Sequence, residues 1–124
     1  MARNALDQIW GERRYVHIAD LFLQTDYAVA GILAGRELEC YIRRICEEKR
    51  IPTKFINDSG YEQSVPIRHL TKQLFNRGVI YNDEKRSINR WWDIRCDLVH
   101  EESPLVEEAE VRSMVSGIID FLRQ

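Results

Sequence analysis

Apolar side chains recur every three or four residues along most of this chain, and this spacing constrains the fold more than any other feature. A period near 3.6 residues is typical of amphipathic helices. The pattern predicts an all-α bundle of four to five helices in a single domain covering residues 1–124, with no strand. The predicted helices cover Leu6–Leu23, about Asp26–Lys49, Pro66 to Gly78, Asn82 to about His100, and a last segment that begins at Ser103-Pro104.

The boundaries of these helices are predicted from residues that cap or interrupt them. Thr25 or Asp26 can cap the helix over 26–49, and Asn82 or Asp83 can cap the helix that ends near His100. Residues 52–66 contain two prolines and no clear period, so they are predicted to form a loop. Long loops in small domains often carry function. This one is either a solvated linker or a ligand contact; the candidate residues are Lys54, Phe55 and Tyr61.

The predicted helix over 26–49 carries apolar residues on two sides, which suits a helix at the centre of a bundle or one shared with a second chain. One face has Val29, Leu33 and Cys40, and the other has Leu38, Tyr41 and Ile45. Gly31 and Gly35 lie four residues apart on this helix and could let another backbone approach closely. The last helix is expected to bury Val111, Met114, Val115, Ile118, Ile119 and Leu122.

The net charge and the cysteine content make some classes of protein improbable, among them tight nonspecific nucleic-acid binders and disulfide-rich proteins. The net charge of −2 argues against tight, nonspecific nucleic-acid binding, although a brief contact is allowed. The three cysteines are odd in number and form no CxxC pair, so Cys40 and Cys46 are predicted to be small core residues. No apolar run approaches the roughly 20 residues of a membrane span, and the N-terminus lacks the apolar core of a secretory signal. The sequence therefore predicts a cytoplasmic protein without membrane contact.

Arg95 occupies an unexpected position. On an ideal helix it falls in a narrow arc with Ile88, Trp92 and Val99, where a core or an interface is expected. An unpaired guanidinium is expensive to bury, so the side chain should meet an acid, a ligand, a water-filled cleft or a chain boundary. A structural alternative is that its stem packs on tryptophan while its head reaches solvent or pairs with Glu39.

His100 lies five residues after Arg95, roughly 140° further around the helix. It falls at the predicted helix end, where a histidine often serves only as a cap. A rival set places Asp93, Cys96 and His100 on one flank, as either a nucleophile with its base or three zinc ligands. Both interpretations are weak, because Cys96 lies far from a helix N-terminus and no fourth zinc ligand has suitable spacing.

Arg95-x-x-x-x-His100, late on the fourth predicted helix, resembles the R-x(4–6)-H signature of the HEPN superfamily. Three further segments resemble helices of that family: AGRELECYIRRICEEKRIP its long second helix, LTKQLFNRGVI its short third helix, and SPLVEEAEVRSMVSGIIDFL its closing helix. The resemblance implies a homodimer with facing motifs and a metal-independent endoribonuclease that uses no cofactor. It also implies RNA as the partner, and an antitoxin or another defence-system protein as a possible second partner.

The matching positions are Arg95 and His100, and Asp97 is a weaker supporting candidate. An imidazole can act as general acid or base near neutral pH, and a guanidinium can hold phosphate through its fork of donors. Cleavage through the 2′-hydroxyl would leave a 2′,3′-cyclic phosphate and a 5′-hydroxyl. The alternative is a catalytically inactive HEPN-like module that binds or assembles through its helical interface.

Overall fold

The computed structural model describes residues 19–20, 22–23, 25–100 and 106–123. Within these ranges it contains four complete helices, α1 (Tyr27–Glu48), α2 (Ile67–Asn76), α3 (Asn82–Val99) and α4 (Glu108–Leu122). A two-stranded sheet of β1 (Lys54–Ile56) and β2 (Glu62–Ser64) lies between α1 and α2 in the chain. The predicted predominance of helix is confirmed, whereas most of the predicted helix over Leu6–Leu23 lies outside the described residues.

The chain divides into two compact units. The first draws its described residues from Met1–Leu38 and Asp93–Gln124, and the second is Glu39–Trp92. Buried apolar side chains of the first unit include Ala30, Ala34, Val111, Met114, Val115 and Ile118. Those of the second unit include Ile42, Cys46, Ile67, Leu70, Leu74 and Ile88. Among the described residues, no helix is long and apolar enough to cross a membrane.

Helix α1 begins and ends close to the predicted positions. The Asp26 carboxylate accepts a hydrogen bond from the Val29 N–H at 3.2 Å, so the predicted cap is confirmed. At the other end Arg50 adopts a left-handed conformation with φ 59°. The Arg50 N–H donates to Glu47 O at 3.1 Å and the Ile51 N–H to Cys46 O at 2.7 Å. This pair of bonds forms a Schellman motif, which satisfies carbonyls that the helix leaves open.

The fully buried side of α1 is a single stripe rather than the two predicted faces. Its apolar residues, at intervals of four, are Ala30, Ala34, Leu38, Ile42 and Cys46, and all are completely buried. The core position predicted for Cys46 is confirmed. That predicted for Cys40 is wrong, because Cys40 is exposed. The stripe is flanked by half-buried apolar residues, which explains why both sides of the helix look apolar in the sequence. These residues are Val29, Leu33, Tyr41 and Ile45.

The prediction of no strand is also wrong, because residues 54–64 form an antiparallel hairpin with Phe55 opposite Gln63. The reason lies in the turn. The Asn57 N–H donates to Tyr61 O at 2.9 Å, and the Asn57 side-chain oxygen accepts from the Ser59 and Tyr61 N–H groups at 3.0 Å each. Gly60 supplies the positive φ of 85°. An asparagine and a glycine placed this way close a hairpin without any apolar alternation in the strands.

Helix α2 follows its predicted pattern, with Ile67, Leu70 and Leu74 buried. Thr71 is buried as well, and its hydroxyl donates to Ile67 O at 2.7 Å, which satisfies the one polar group on this face. The helix ends at Asn76, and Gly78, with a φ of 73°, completes a second Schellman motif two residues later. In this motif the Gly78 N–H donates to Phe75 O at 3.0 Å and the Val79 N–H to Leu74 O at 2.9 Å.

The starts of α3 and α4 differ from the predictions. Asn82 is already helical, so the cap position of α3 belongs to Tyr81, whose N–H donates to the Glu84 carboxylate at 2.8 Å. This is half of a capping box. Helix α4 begins at Glu108 with Glu107 as its cap, later than the predicted start at Ser103-Pro104, which lies outside the described residues.

The buried face of α4 matches the prediction at five positions, Val111, Met114, Val115, Ile118 and Leu122. The sixth is wrong, because Ile119 is only half-buried and Phe121 is buried instead. Positions 118, 121 and 122 follow the three- and four-residue spacing of one helix face, whereas position 119 lies beside it.

Candidate functional site

Arg95 packs its aliphatic stem against α1 at Gly35. A Cβ built on Gly35 would lie 2.8 Å from the Arg95 Cβ, still closer to its Cγ, and 3.6 Å from its Cδ. Real Cβ atoms do not approach this closely, so the absence of a side chain at position 35 is what admits Arg95. The stem is therefore held in place, and the residue as a whole is half-buried.

The same arrangement repeats one turn away. A Cβ on Gly31 would collide with the Leu98 Cδ1 and would lie 3.0 Å from the Val111 Cγ1. The close approach predicted at the two glycines of α1 is made by side chains of α3 and α4, and not by the backbone that the sequence led us to expect. Arg95 and Leu98 lie on the α1-facing side of α3. Val99, which the ideal helix places near Arg95, is instead 45% exposed.

His100 follows directly after the last residue of α3. Its N–H donates to Cys96 O at 3.3 Å, which continues the helical bonding pattern by one residue. The side chain is exposed. The predicted position of His100 at the helix end is therefore confirmed, and its imidazole is accessible to a ligand or a second chain.

The other candidates on α3 are distributed around the helix. Asp97 is exposed, and it lies two residues from Arg95, a separation at which helix side chains do not face each other. Asp93 is exposed and Cys96 is half-buried. In the described ranges no group of three or more His, Cys, Asp or Glu residues could hold a metal ion. Asp93, Cys96 and His100 therefore do not form such a group.

The interpretation that Arg95 pairs with Glu39 stays a prediction. Glu39 forms an ion pair with Arg43, whose Nε lies 3.1 Å from the Glu39 carboxylate. This pair is an i,i+4 contact along α1 and both side chains are largely buried, so it is better protected from solvent than a surface pair.

A concave pocket of about 580 Å³ lies in the second unit, and sequence reasoning found only part of it. Lys54 and Phe55 were predicted as possible ligand contacts and both line the pocket, whereas Tyr61 does not. The residues that were missed are Ile51, Pro52, Val65, Pro66, His69, Gln73 and Arg77. One signal was available in the sequence. His69, Gln73 and Arg77 recur at intervals of four, so they share one side of α2 and its end.

The class that these observations define is a mostly helical protein with one small antiparallel hairpin. Compared with models of known protein families, with curated proteins and with solved structures, the chain matches none. The function must therefore be argued from the residues themselves.

Proposed function

We propose that this chain is a HEPN-type, metal-independent endoribonuclease that works as a homodimer in a toxin–antitoxin or phage-defence setting. The observation that carries the proposal is the combination of Arg95, held by its stem against Gly35, with an exposed His100 at the end of the same helix. A guanidinium on a packed stem can stabilise charge on phosphate, and an accessible imidazole can transfer protons, and RNA cleavage through the 2′-hydroxyl can use both groups.

The proposed reaction is an internal displacement at phosphorus. The 2′-hydroxyl oxygen forms a bond to the adjacent phosphorus, the bond to the 5′-oxygen breaks, and the products are a 2′,3′-cyclic phosphate and a 5′-hydroxyl. One His100 takes the proton from the 2′-hydroxyl, and the His100 of the second copy gives a proton to the leaving 5′-oxygen. Arg95 stabilises the charge on the phosphate, because its planar fork of donors fits phosphate oxygens.

Dimerisation accounts for two features that one chain leaves unexplained. Arg95 and His100 are separated by roughly 140° on one ideal helix, so facing motifs would let each chain supply an arginine and a histidine to a shared cleft. Among the described residues, three large apolar side chains of the first unit also remain accessible: Phe22, Tyr27 at the start of α1, and Val99 beside His100. A second copy that covers these positions would remove apolar surface from water.

The test compares cleavage of total RNA in the presence of EDTA by the wild type and by Arg95→Ala and His100→Ala. We expect cleavage by the wild type alone, with cyclic phosphate ends, and an unchanged dimer in both variants. Arg90→Ala is the matched control, because Arg90 is an exposed arginine of the same helix outside the motif. Full activity of both motif variants would exclude the proposal.

A catalytically inactive binding or assembly module is the second candidate. It is favoured by the packing of Arg95 itself, because the stem that fills the space beside Gly35 would serve a purely structural role equally well. Arg95→Met separates the two, since methionine keeps most of the stem and removes the charge. The ribonuclease requires that Arg95→Met abolish cleavage. The inactive module predicts no cleavage by any form, with Arg95→Met folded and assembled like the wild type.

A further inference from the structure

The pocket in the second unit is lined mostly by apolar surface, and basic residues also belong to its lining. Ile51 and Val65 are buried, and Phe55 is 47% exposed. Polar side chains in the lining come from Lys54, His69, Gln73 and Arg77. A largely apolar cavity with a few polar groups is the usual character of a small-molecule site, and its size falls within the common range of about 300–1,000 Å³.

Backbone contacts hold the walls of this pocket in place. The left-handed Arg50 turns the chain out of α1, so that Ile51 enters the lining immediately after the helix. Thr53 O then accepts two hydrogen bonds, from the Val65 N–H at 2.9 Å and from the Arg43 guanidinium at 3.4 Å. These bonds join the two chain segments that flank the hairpin to each other and to α1. A ligand would therefore meet a largely pre-formed site.

The charged residues in the lining are basic, which would favour an anionic ligand. None of the described residues that line the pocket is an aspartate or a glutamate, whereas Lys54 and Arg77 are cationic. The Arg77 Nη1 donates to Lys49 O at 3.2 Å, which orients the guanidinium. Its fork has five donors, so others can bind a ligand. The Lys54–Glu62 ion pair of 3.4 Å is mostly exposed and therefore weak, so Lys54 can exchange it for a ligand anion.

We propose that this pocket binds a single nucleoside monophosphate. The nucleobase would pack on the Phe55 ring and the adjoining apolar surface, and the phosphate would contact Lys54 and Arg77. The Gln73 amide, which offers both a donor and an acceptor, could read the edge of the base. Inorganic phosphate would leave the apolar surface of the pocket exposed to water. A neutral nucleoside would have no charged group to bind the two cations. This site shares no residue with Arg95 and His100 and does not depend on the proposed ribonuclease.

The test is calorimetric titration of the full chain, with the probes 5′-AMP, adenosine, inorganic phosphate and a single-stranded hexaadenylate. We expect saturable 1:1 binding of AMP, at least about tenfold tighter than that of adenosine or phosphate, because the two cations and the ring act only on the complete nucleotide. Equal binding of adenosine, equal binding of phosphate, or binding of hexaadenylate without AMP would each overturn the proposal.

Variants locate the binding. Phe55→Ala and Lys54→Met should each weaken AMP binding by about tenfold, since one removes the stacking surface and the other a charge from the lining. Lys72→Met is the matched control, because Lys72 is an exposed lysine of α2 that does not line the pocket. Unchanged affinity in both pocket variants would refute the assignment. Because His100→Ala should bind AMP like the wild type, a failed cleavage assay and a failed pocket assay remain distinguishable.

Discussion

Replacing Gly35 with alanine should destabilise the protein even though alanine favours helix. In an open helix interior this change stabilises by about 1 kcal/mol. Here the new methyl group would lie 2.8 Å from the Arg95 Cβ, an atom fixed to the backbone of α3 that no side-chain rotation can move. Overpacking of this kind costs about 1–3 kcal/mol, and the immobile neighbour favours the upper end. The expected net loss in unfolding free energy is about 1–2 kcal/mol.

Chemical and thermal denaturation measure this loss. For a chain of this size the melting temperature should fall by about 4–8 °C. Gly31→Ala is the matched control and should cost less, because its nearest neighbour is the rotatable tip of Leu98. In an Arg95→Ala background the loss at Gly35 should shrink by at least about 0.5 kcal/mol, since the closest atom, Cγ, is gone. A Gly35→Ala protein more stable than the wild type would refute the packing of Arg95 on Gly35.

Three further predictions concern helix ends and thiols. Gly78→Ala should lower the unfolding free energy by about 1 kcal/mol in urea titration, because an added Cβ meets nothing within 4 Å and only the positive φ opposes it. Arg50→Gly should have the opposite effect and raise the unfolding free energy by about 0.5 kcal/mol, since Arg50 holds the equivalent position of the other Schellman motif. A change of the same sign and size in both variants would contradict this account. At pH 8, iodoacetamide should modify exposed Cys40 well before Cys46, because burial raises the pKa of the Cys46 thiol and so lowers its thiolate fraction. Peptide mapping by mass spectrometry measures both rates, and equal rates in the folded protein would count against a buried Cys46.

The candidate site was only partly accessible to sequence reasoning. Arg95 could be identified because a charge on an apolar helical stripe is conspicuous, and Gly35 because it is paired with a second glycine four residues away. Nothing local connects the two, since their contact depends on how α3 lies against α1. The pocket shows the same limit. Lys54 and Phe55 could be proposed from their loop, but Arg77 belongs to the end of another helix and only the folded chain places it in the lining.

The sequence by itself determined the positions of most helices, because helix periodicity and capping are properties of neighbouring residues. Ile67, Leu70 and Leu74 show this, since their spacing alone identifies the buried side of α2. Tertiary structure alone decided that Cys40 is exposed, although the sequence predicts it to be buried like Cys46, and which glycine faces Arg95. Burial and close contact depend on residues that are distant in the chain, and no local sequence pattern identifies those residues.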